Sequence, residues 1–298
     1  MAIPVYRGRF APTPSGPLHF GSLVAALGSY LEAGVRGGEW LLRIEDLDPP
    51  RVVAGSADDI QRTLEAFGFE WVGEVVHQSR RLEAYRAALD TLSRLDLLYP
   101  CTCSRKQLAE TARRGVDGAV YPGTCRARQG RDGALRFRVP GGRLVFNDAL
   151  LGRVACDVAA ECGDFVLRRA DGVYSYQLAV VVDDAEQGVT NVVRGADLLT
   201  STPRQIVLQQ ALGLPTPAYM HLPVVLGERG EKLSKQTLAS PVDPAFPLPA
   251  LTAAAEFLGV ALADEPGSVA EFWRAAGPAW PGRKSAAIRG RRSNPCKP

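Results

Sequence analysis

No run of about 18 apolar residues occurs in this 298-residue chain, so no segment reads as a membrane-spanning helix. The opening residues, MAIPVYRGRF, lack the charged start and long apolar stretch of a secretory signal, and the protein is expected in the cytoplasm. Strong charge of either sign is also missing. The net value is +3, too small to argue nucleic-acid binding by itself. No internal repeat is visible, which sets repeat architectures aside. The cysteines do not form CxxC pairs, so the usual zinc knuckle is absent.

What is present fits an ordinary globular protein, 46% hydrophobic and 22% charged, long enough to bury a sizeable core in one large or two modest domains. Charge is unevenly placed. Residues 283–298 hold six basic groups and no acidic one, leaving 29 basic against 32 acidic residues in the body. That end is either a solvated tail or one that touches RNA.

Periodicity predicts a short strand at Val5–Phe10, a helix from Phe20, a buried strand at 39–45, a Ser-capped helix at 56–69 and a helix at 82–98. This alternation predicts a doubly wound α/β fold, a Rossmann-type parallel sheet. Residues 99–170 break the pattern with clustered cysteines, glycines and the strand-like pieces LRFRV and RLVFND, and read as an inserted α+β subdomain. The α/β signal resumes with SYQLAVVVDD, 175–184, whose continuous apolar run predicts a strand covered on both faces. A helix from about Thr202 to Leu212, a strand at 221–227 and a helix near 248–259 follow. The expected division is 1–98 and 171–240 as halves of one nucleotide-binding domain, 99–170 as the insert, and 241–298 as a short helical region with the basic tail.

Two loops carry the chemistry. APTPSGPLHFGSL, 11–23, lies between the first strand and the first helix, where open parallel sheets bind ligands. Prolines hold such a loop in one shape, and the helix start offers free N–H groups to a phosphate. His19 can donate to a phosphate oxygen, and Gly21 lets a flat base approach the backbone. The second loop, GERGEKLSKQ at 227–236, places Lys232 and Lys235 where they could close over a triphosphate.

Together, HFGS at 19–22 and KLSKQ at 232–236 resemble the two signature motifs of the class I aminoacyl-tRNA synthetases, with Leu233 and Gln236 departing from the second. RFAPTPSGPLHFGSL, LLRIEDLDPPR and YQLAVVVDD with VVRGADLL resemble the glutamyl and glutaminyl branch. The resemblance implies catalytic roles for His19 and Lys235 and ATP contacts by Gly21, Ser22, Lys232 and Lys235, with Mg2+ on the phosphates. It implies a glutamate pocket of Arg9, Phe10, Ala11, Pro12, Thr13, Glu45, Tyr176 and Arg194. The chemistry agrees: Glu45 can hold an ammonium, the arginines can clamp carboxylates and Tyr176 can add a hydroxyl.

Only 62 residues follow Gln236, too few for an anticodon-binding part. From about residue 5 to 260 the chain therefore resembles the glutamyl-queuosine tRNA(Asp) synthetases. That family activates L-glutamate with ATP without needing tRNA, then esterifies the queuosine base of tRNA(Asp). The resemblance implies a bound anticodon stem-loop, no membrane partner, and a protein acting as a monomer.

Spacing makes Cys101, Cys103 and Cys125 a plausible incomplete zinc site, with the fourth ligand open among Tyr121, water and another cysteine. The resemblance implies three cysteines and Tyr121 around one structural zinc. Cys156 and Cys162 read as packing residues, and Cys296 lies in the tail. The rival readings are a shortened glutamyl-tRNA synthetase charging the 3′ end of tRNA(Glu), a non-catalytic zinc RNA-binding protein, and another nucleotidyltransferase of this fold.

Overall fold

The structure, a computed structural model, describes residues 5–115, 118–128, 130, 132–225 and 241–282. Along its first third, strands and helices alternate: β1 (Arg7–Phe10), α1 (Phe20–Val35), β2 (Glu39–Ile44), α2 (Ser56–Ala66), β3 (Val76–His77) and α3 (Leu82–Arg94). β2 pairs with both β1 and β3 in parallel. Residues 98–168 hold β4 (Leu98–Cys101), α4 (Arg105–Thr111), the antiparallel pair β5 (Arg113–Gly115) and β6 (Gly118–Val120), β7 (Ala134–Phe137), the hairpin of β8 (Arg143–Asp148) and β9 (Gly152–Asp157), α5 (Val158–Glu161) and β10 (Phe165–Arg168). β7 sits between β4 and β10 in an antiparallel sheet. Then come α6 (Tyr176–Glu186), β11 (Asn191–Gly195), α7 (Thr202–Leu212), β12 (Ala218–Leu222), α8 (Pro247–Phe257) and α9 (Val269–Ala279).

β11 and β12 are parallel partners, and the end of β8 joins β12 through Asp148 and Tyr219. β11 lies against β1. Their starts are tied by Thr190, whose N–H donates to the Arg7 carbonyl and whose Oγ1 accepts from the Arg7 N–H, both at 2.9 Å. The lateral order β3–β2–β1–β11–β12 thus reverses its winding between β1 and β11. In open α/β sheets that switch point is where the carboxyl ends of the strands leave a ligand crevice. The mixed α/β architecture with a parallel sheet is the one the alternating pattern predicts.

Period-two alternation sorts the strand residues. Trp40, Leu42 and Ile44 of β2 enter one apolar cluster with Leu23, Leu27 and Leu31 of α1, Leu251 of α8 and Phe272 of α9. Arg43, between them, points the other way, toward α6. A second cluster joins Tyr85, Leu89 and Leu92 of α3 to Phe137 of β7, Leu167 of β10, residues 178–182 of α6 and Leu208 of α7. Each fully buried leucine or phenylalanine contributes about 1.5–3 kcal/mol of transfer free energy to these layers. Gly28 lets α1 lie close on the sheet, since a Cβ there would stand 2.5 Å from Cδ1 of Leu222. Among the described residues no helix is long and apolar enough to cross a membrane.

Four local expectations are corrected. Residues 175–184 form the start of helix α6, not a strand. Ser175 caps it, its hydroxyl accepting from the Leu178 N–H, and Leu178 to Val182 are buried all round, so a continuous apolar run suits a buried helix as well as a strand. Of the strand expected at 221–227, residues 226 and 227 lie outside the described residues; the observed strand is Ala218–Leu222, and Pro223, with no N–H to give the ladder, follows its last residue. Ser56 does not cap α2. Gly55 occupies the cap position, while the Ser56 hydroxyl donates to the Gly16 carbonyl at 2.7 Å and accepts from the Gly16 N–H at 3.0 Å. The helix expected at 82–98 ends at Arg94, and Leu98 already begins β4. Helix α9, which periodicity did not single out, anchors through Trp273, whose indole N–H donates to the Phe67 carbonyl at 3.0 Å.

Candidate active site

The Pro-rich loop after β1 is held from both sides. Gly16, at φ +122°, takes the left-handed conformation a side chain would resist, and Ser56 clips both its backbone groups. Val53 N–H donates to the Pro14 carbonyl at 2.9 Å and Glu45 N–H to the Pro12 carbonyl at 3.0 Å. Ala11, Pro12 and Thr13 thereby lie beside the carboxyl end of β2. Phe10, the last residue of β1, stacks on Trp40 with ring centroids 6.1 Å apart.

His19 is the N-cap of α1, and its Nδ1 accepts from the Ser22 N–H at 3.2 Å. Gly21 and Ser22 make the first turn. The motif therefore sits at the start of a 16-residue helix, where the dipole and free N–H groups favour an anion. Lys232 and Lys235 lie outside the described residues, but their segment is flanked by groups that meet this helix start. Pro241 bridges to His19, Val242 N–H donates to the Leu18 carbonyl at 2.9 Å, and Val225 is buried in the same cluster as Leu18.

Arg9, Glu45, Tyr176 and Arg194 come from β1, the residue after β2, the first turn of α6 and β11. They meet at the switch point. Tyr176 Oη accepts from Arg194 Nη1 at 3.1 Å. Burial pushes the Glu45 carboxyl up to about 7, with Arg43 and Arg9 pulling against the shift. Burial also raises the Tyr176 phenol, which feels Arg194, Glu45 and Arg9.

The two arginines are held differently. Arg9 is 4% exposed and gives Nε to Asp184 Oδ1 at 3.1 Å and Nη2 to Oδ2 at 3.4 Å. Arg43, fully buried, gives Nη2 to the same carboxylate at 2.6 Å and Nη1 to Gln187 at 2.5 Å. Burial alone would raise Asp184, but Arg9 and Arg43 overcome it and hold the carboxyl below its usual range. Asp183 continues the network, accepting from Gln78 at 2.7 Å, Arg81 Nε at 2.6 Å and Tyr85 Oη at 2.9 Å. Among the described residues the hydrogen-bond partners of Arg194, 5% exposed, are uncharged: besides Tyr176, Nη2 donates to Thr202 at 2.7 Å, Gln205 at 2.9 Å and the Leu198 carbonyl at 3.4 Å, and Nε to His221 Nε2 at 3.3 Å. Arg43, Asp183, Asp184 and His221 escaped sequence reasoning. For the first three the signal was charge inside apolar runs, LLRIE and LAVVVDD, which buried groups show only when paired.

The cysteine cluster lies in the 98–168 segment. Cys101 at the end of β4, Cys103 and Cys125 bring three sulfurs within 4.8 Å of one another, close enough to share one ion. Cys103 and Cys125 Sγ are 3.5 Å apart, and Tyr121 Oη lies 3.4 Å from Cys101 Sγ and 3.6 Å from Cys103 Sγ. A tetrahedral zinc thiolate site places its sulfurs about 3.8 Å apart, so this donor set fits. The Arg136 guanidinium, 3.9 Å over the Tyr121 ring, favours negative charge there. Burial works against the Cys125 thiolate, but the Tyr121 hydroxyl and the Thr102 N–H lower its thiol to about 7. Cys156 and Cys162 are buried apart from this cluster, in the second apolar layer.

Known proteins resemble the chain over nearly all of this frame. The family described as tRNA synthetases class I (E and Q), catalytic domain, matches residues 6–245. The glutamyl-Q tRNA(Asp) synthetase of Chromobacterium violaceum is 59% identical over 92% of this chain and 93% of its own length. The protein of that name from Dechloromonas aromatica is 56% identical over 92% and 94%. Among solved structures, glutamate-tRNA synthetase from Elizabethkingia anophelis superposes with a TM-score of 0.76 at 27% identity, covering 94% of this chain and 67% of that one. The chain therefore belongs to the class I tRNA synthetases of the E and Q branch, with the glutamyl-Q tRNA(Asp) synthetases as relatives along almost its whole length.

Proposed function

We propose that this protein is a ligase that activates L-glutamate with ATP, without tRNA, and transfers the glutamyl group to the queuosine base in the anticodon of tRNA(Asp). The observation that carries the reading is Arg194, a buried guanidinium whose partners among the described residues include no carboxylate. A buried unpaired cation is costly, and an anionic side chain from a substrate removes that cost. Glu45, whose charge is felt by Tyr176 and which itself feels Arg9, suits an α-ammonium, and the Arg9 guanidinium, anchored on Asp184, suits a carboxylate.

In the first step an α-carboxylate oxygen bonds to the α-phosphorus of ATP while the bond to the bridging oxygen of pyrophosphate breaks. His19, the N–H groups at Gly21 and Ser22, and Lys232 and Lys235 stabilise charge on the phosphates; Mg2+ accompanies the nucleotide. No protein nucleophile is needed. In the second step a cyclopentene hydroxyl of queuosine bonds to the adenylate carbonyl carbon, AMP departs with the electron pair, and the hydroxyl proton is lost. The anticodon stem-loop occupies the face that holds the crevice. Cys101, Cys103, Cys125 and Tyr121 would hold one zinc, and four protein ligands would leave no open position, which gives it a structural role. The protein works as a cytoplasmic monomer.

The test is charging with labelled glutamate. Purified tRNA(Asp) containing queuosine should accept it, and the same tRNA without the modified base, or after periodate cleavage of the queuosine diol, should not. Charging of unmodified tRNA(Glu) at its 3′ end would overturn the transfer step and favour a glutamyl-tRNA synthetase.

A further inference from the structure

Arg194 is surrounded by more order than a surface arginine needs. Its neighbour His221 is 1% exposed on β12, and Asp148, with no exposed side-chain surface, ends β8 in the 98–168 segment. Asp148 Oδ1 accepts from the Leu150 and Leu151 N–H groups, both at 2.9 Å. Its Oδ2 accepts from the His221 N–H at 3.1 Å and meets His221 Nδ1 at 2.7 Å. Four contacts leave this carboxylate little freedom to turn.

Donor logic fixes the ring. A carboxylate only accepts, so the imidazole proton sits on Nδ1. Arginine only donates, so Nε2 presents its lone pair to Arg194 Nε–H at 3.3 Å, a pair it shares with the Thr202 hydroxyl at 3.0 Å. Burial lowers the His221 pKa and Arg194 lowers it further, against the pull of Asp148 and Asp197, which favours the neutral ring the donor pattern requires. Nε2 is thus occupied and is not a free base. The guanidinium also lies over Tyr219, 5.5 Å from the ring centroid, and Tyr219 in turn stacks on His221. An aspartate placed directly against Arg194 would neutralise it and compete with an anionic ligand. A neutral imidazole between them passes on orientation and leaves the charge available.

We infer that Asp148 and His221 are positioning residues that lock the Arg194 rotamer and so set the preference for a side-chain carboxylate over an amide. This rests on the glutamate-activation reading above. It also gives the 98–168 segment a part in amino-acid selection, because Asp148 belongs to it.

The experiment is ATP–pyrophosphate exchange with glutamate and with glutamine on His221→Asn, His221→Gln and Asp148→Asn, beside thermal melting. Asparagine keeps a donor for Asp148 but offers nothing at Nε2; glutamine restores an acceptor there. Asp148→Asn turns a donor toward Nδ1 and forces the proton to Nε2, against Arg194. His221→Asn and Asp148→Asn should raise the KM for glutamate by about tenfold or more and lower the glutamate-to-glutamine ratio of kcat/KM to match, with the KM for ATP held within about twofold. His221→Gln should stay within about threefold of the parent. Nitrogen NMR of the imidazoles in the unaltered protein should show His221 protonated on Nδ1. A parental glutamate KM in folded His221→Asn, or an Nε2–H tautomer in the unaltered protein, overturns the proposal, and the spectrum decides even where a variant fails to fold. No exchange with glutamate in the unaltered protein would instead sink the activation reading, leaving the tautomer to judge the positioning role.

Discussion

Two buried arginines flank the switch point, and they live in opposite electrostatic surroundings. Around Arg9 and Arg43, every guanidinium meets a carboxylate of α6, and Arg81 extends the set to Asp183 and Glu186. Around Arg194 the partners among the described residues are hydroxyls, an amide, a carbonyl and a neutral imidazole. The first arrangement balances its own charges and ties β1 and β2 to α6, so that Arg9, already paired with Asp184, brings a ligand hydrogen bonds rather than an unbalanced charge. The second is complete in hydrogen bonds and incomplete in charge, which is the condition of a site awaiting an anion.

Removing a carboxylate from the paired region should produce the largest effect, and on stability. Asp184→Ala leaves Arg9 and Arg43 without their shared partner and should cost about 3–5 kcal/mol in urea unfolding. An unchanged midpoint would show that the network contributes nothing to the fold. Arg194→Leu should do the reverse: kcat/KM for glutamate in the exchange assay falls by roughly 100-fold or more, about 3 kcal/mol, while the melting temperature holds or rises. A variant that unfolds but keeps its glutamate affinity would erase the contrast. Lys235→Ala should lower the exchange kcat by about 100-fold with the fold intact, and a near-normal rate would remove its role on the leaving phosphates.

Glu45 sharpens the comparison through pH. Its carboxyl, raised by burial to about 7, is charged above that value and neutral below it. An ammonium partner is therefore lost as pH falls, and the KM for glutamate should rise toward tenfold per unit well below pH 7. Glu45→Gln should have a high and pH-independent KM; a parent profile equally flat from pH 6 to 8 would contradict the assignment. The smallest effect belongs to the distant cysteines. Cys103→Ser should abolish binding of one zinc, read by metal analysis, and lower the melting temperature with little change in glutamate affinity. Full metal content in that variant would exclude Cys103 as a ligand.

Much of this was legible in the chain. The Pro-rich loop, His19 at a helix start, the strand carrying Arg9, and the clustering of Cys101, Cys103 and Cys125 all follow from local pattern, because each is a statement about neighbours in sequence. The paired network was not. Reading 175–184 as a strand put Asp183 and Asp184 at a strand end and gave them no partner; on α6 they face Arg9, Arg43 and Arg81, more than a hundred residues earlier. His221 hid for the same reason, since its partner Asp148 arrives from another strand. Helix α9 was masked by Gly277 and Pro278, which blur the period in its last turn.

The central claim, that the unpaired Arg194 site receives the carboxylate of glutamate for reaction with ATP, meets its most direct test in pyrophosphate exchange without tRNA. The account predicts exchange that depends on glutamate and is at least about 100-fold weaker with glutamine in kcat/KM. Equal rates with the two amino acids, or no exchange with glutamate, would contradict it.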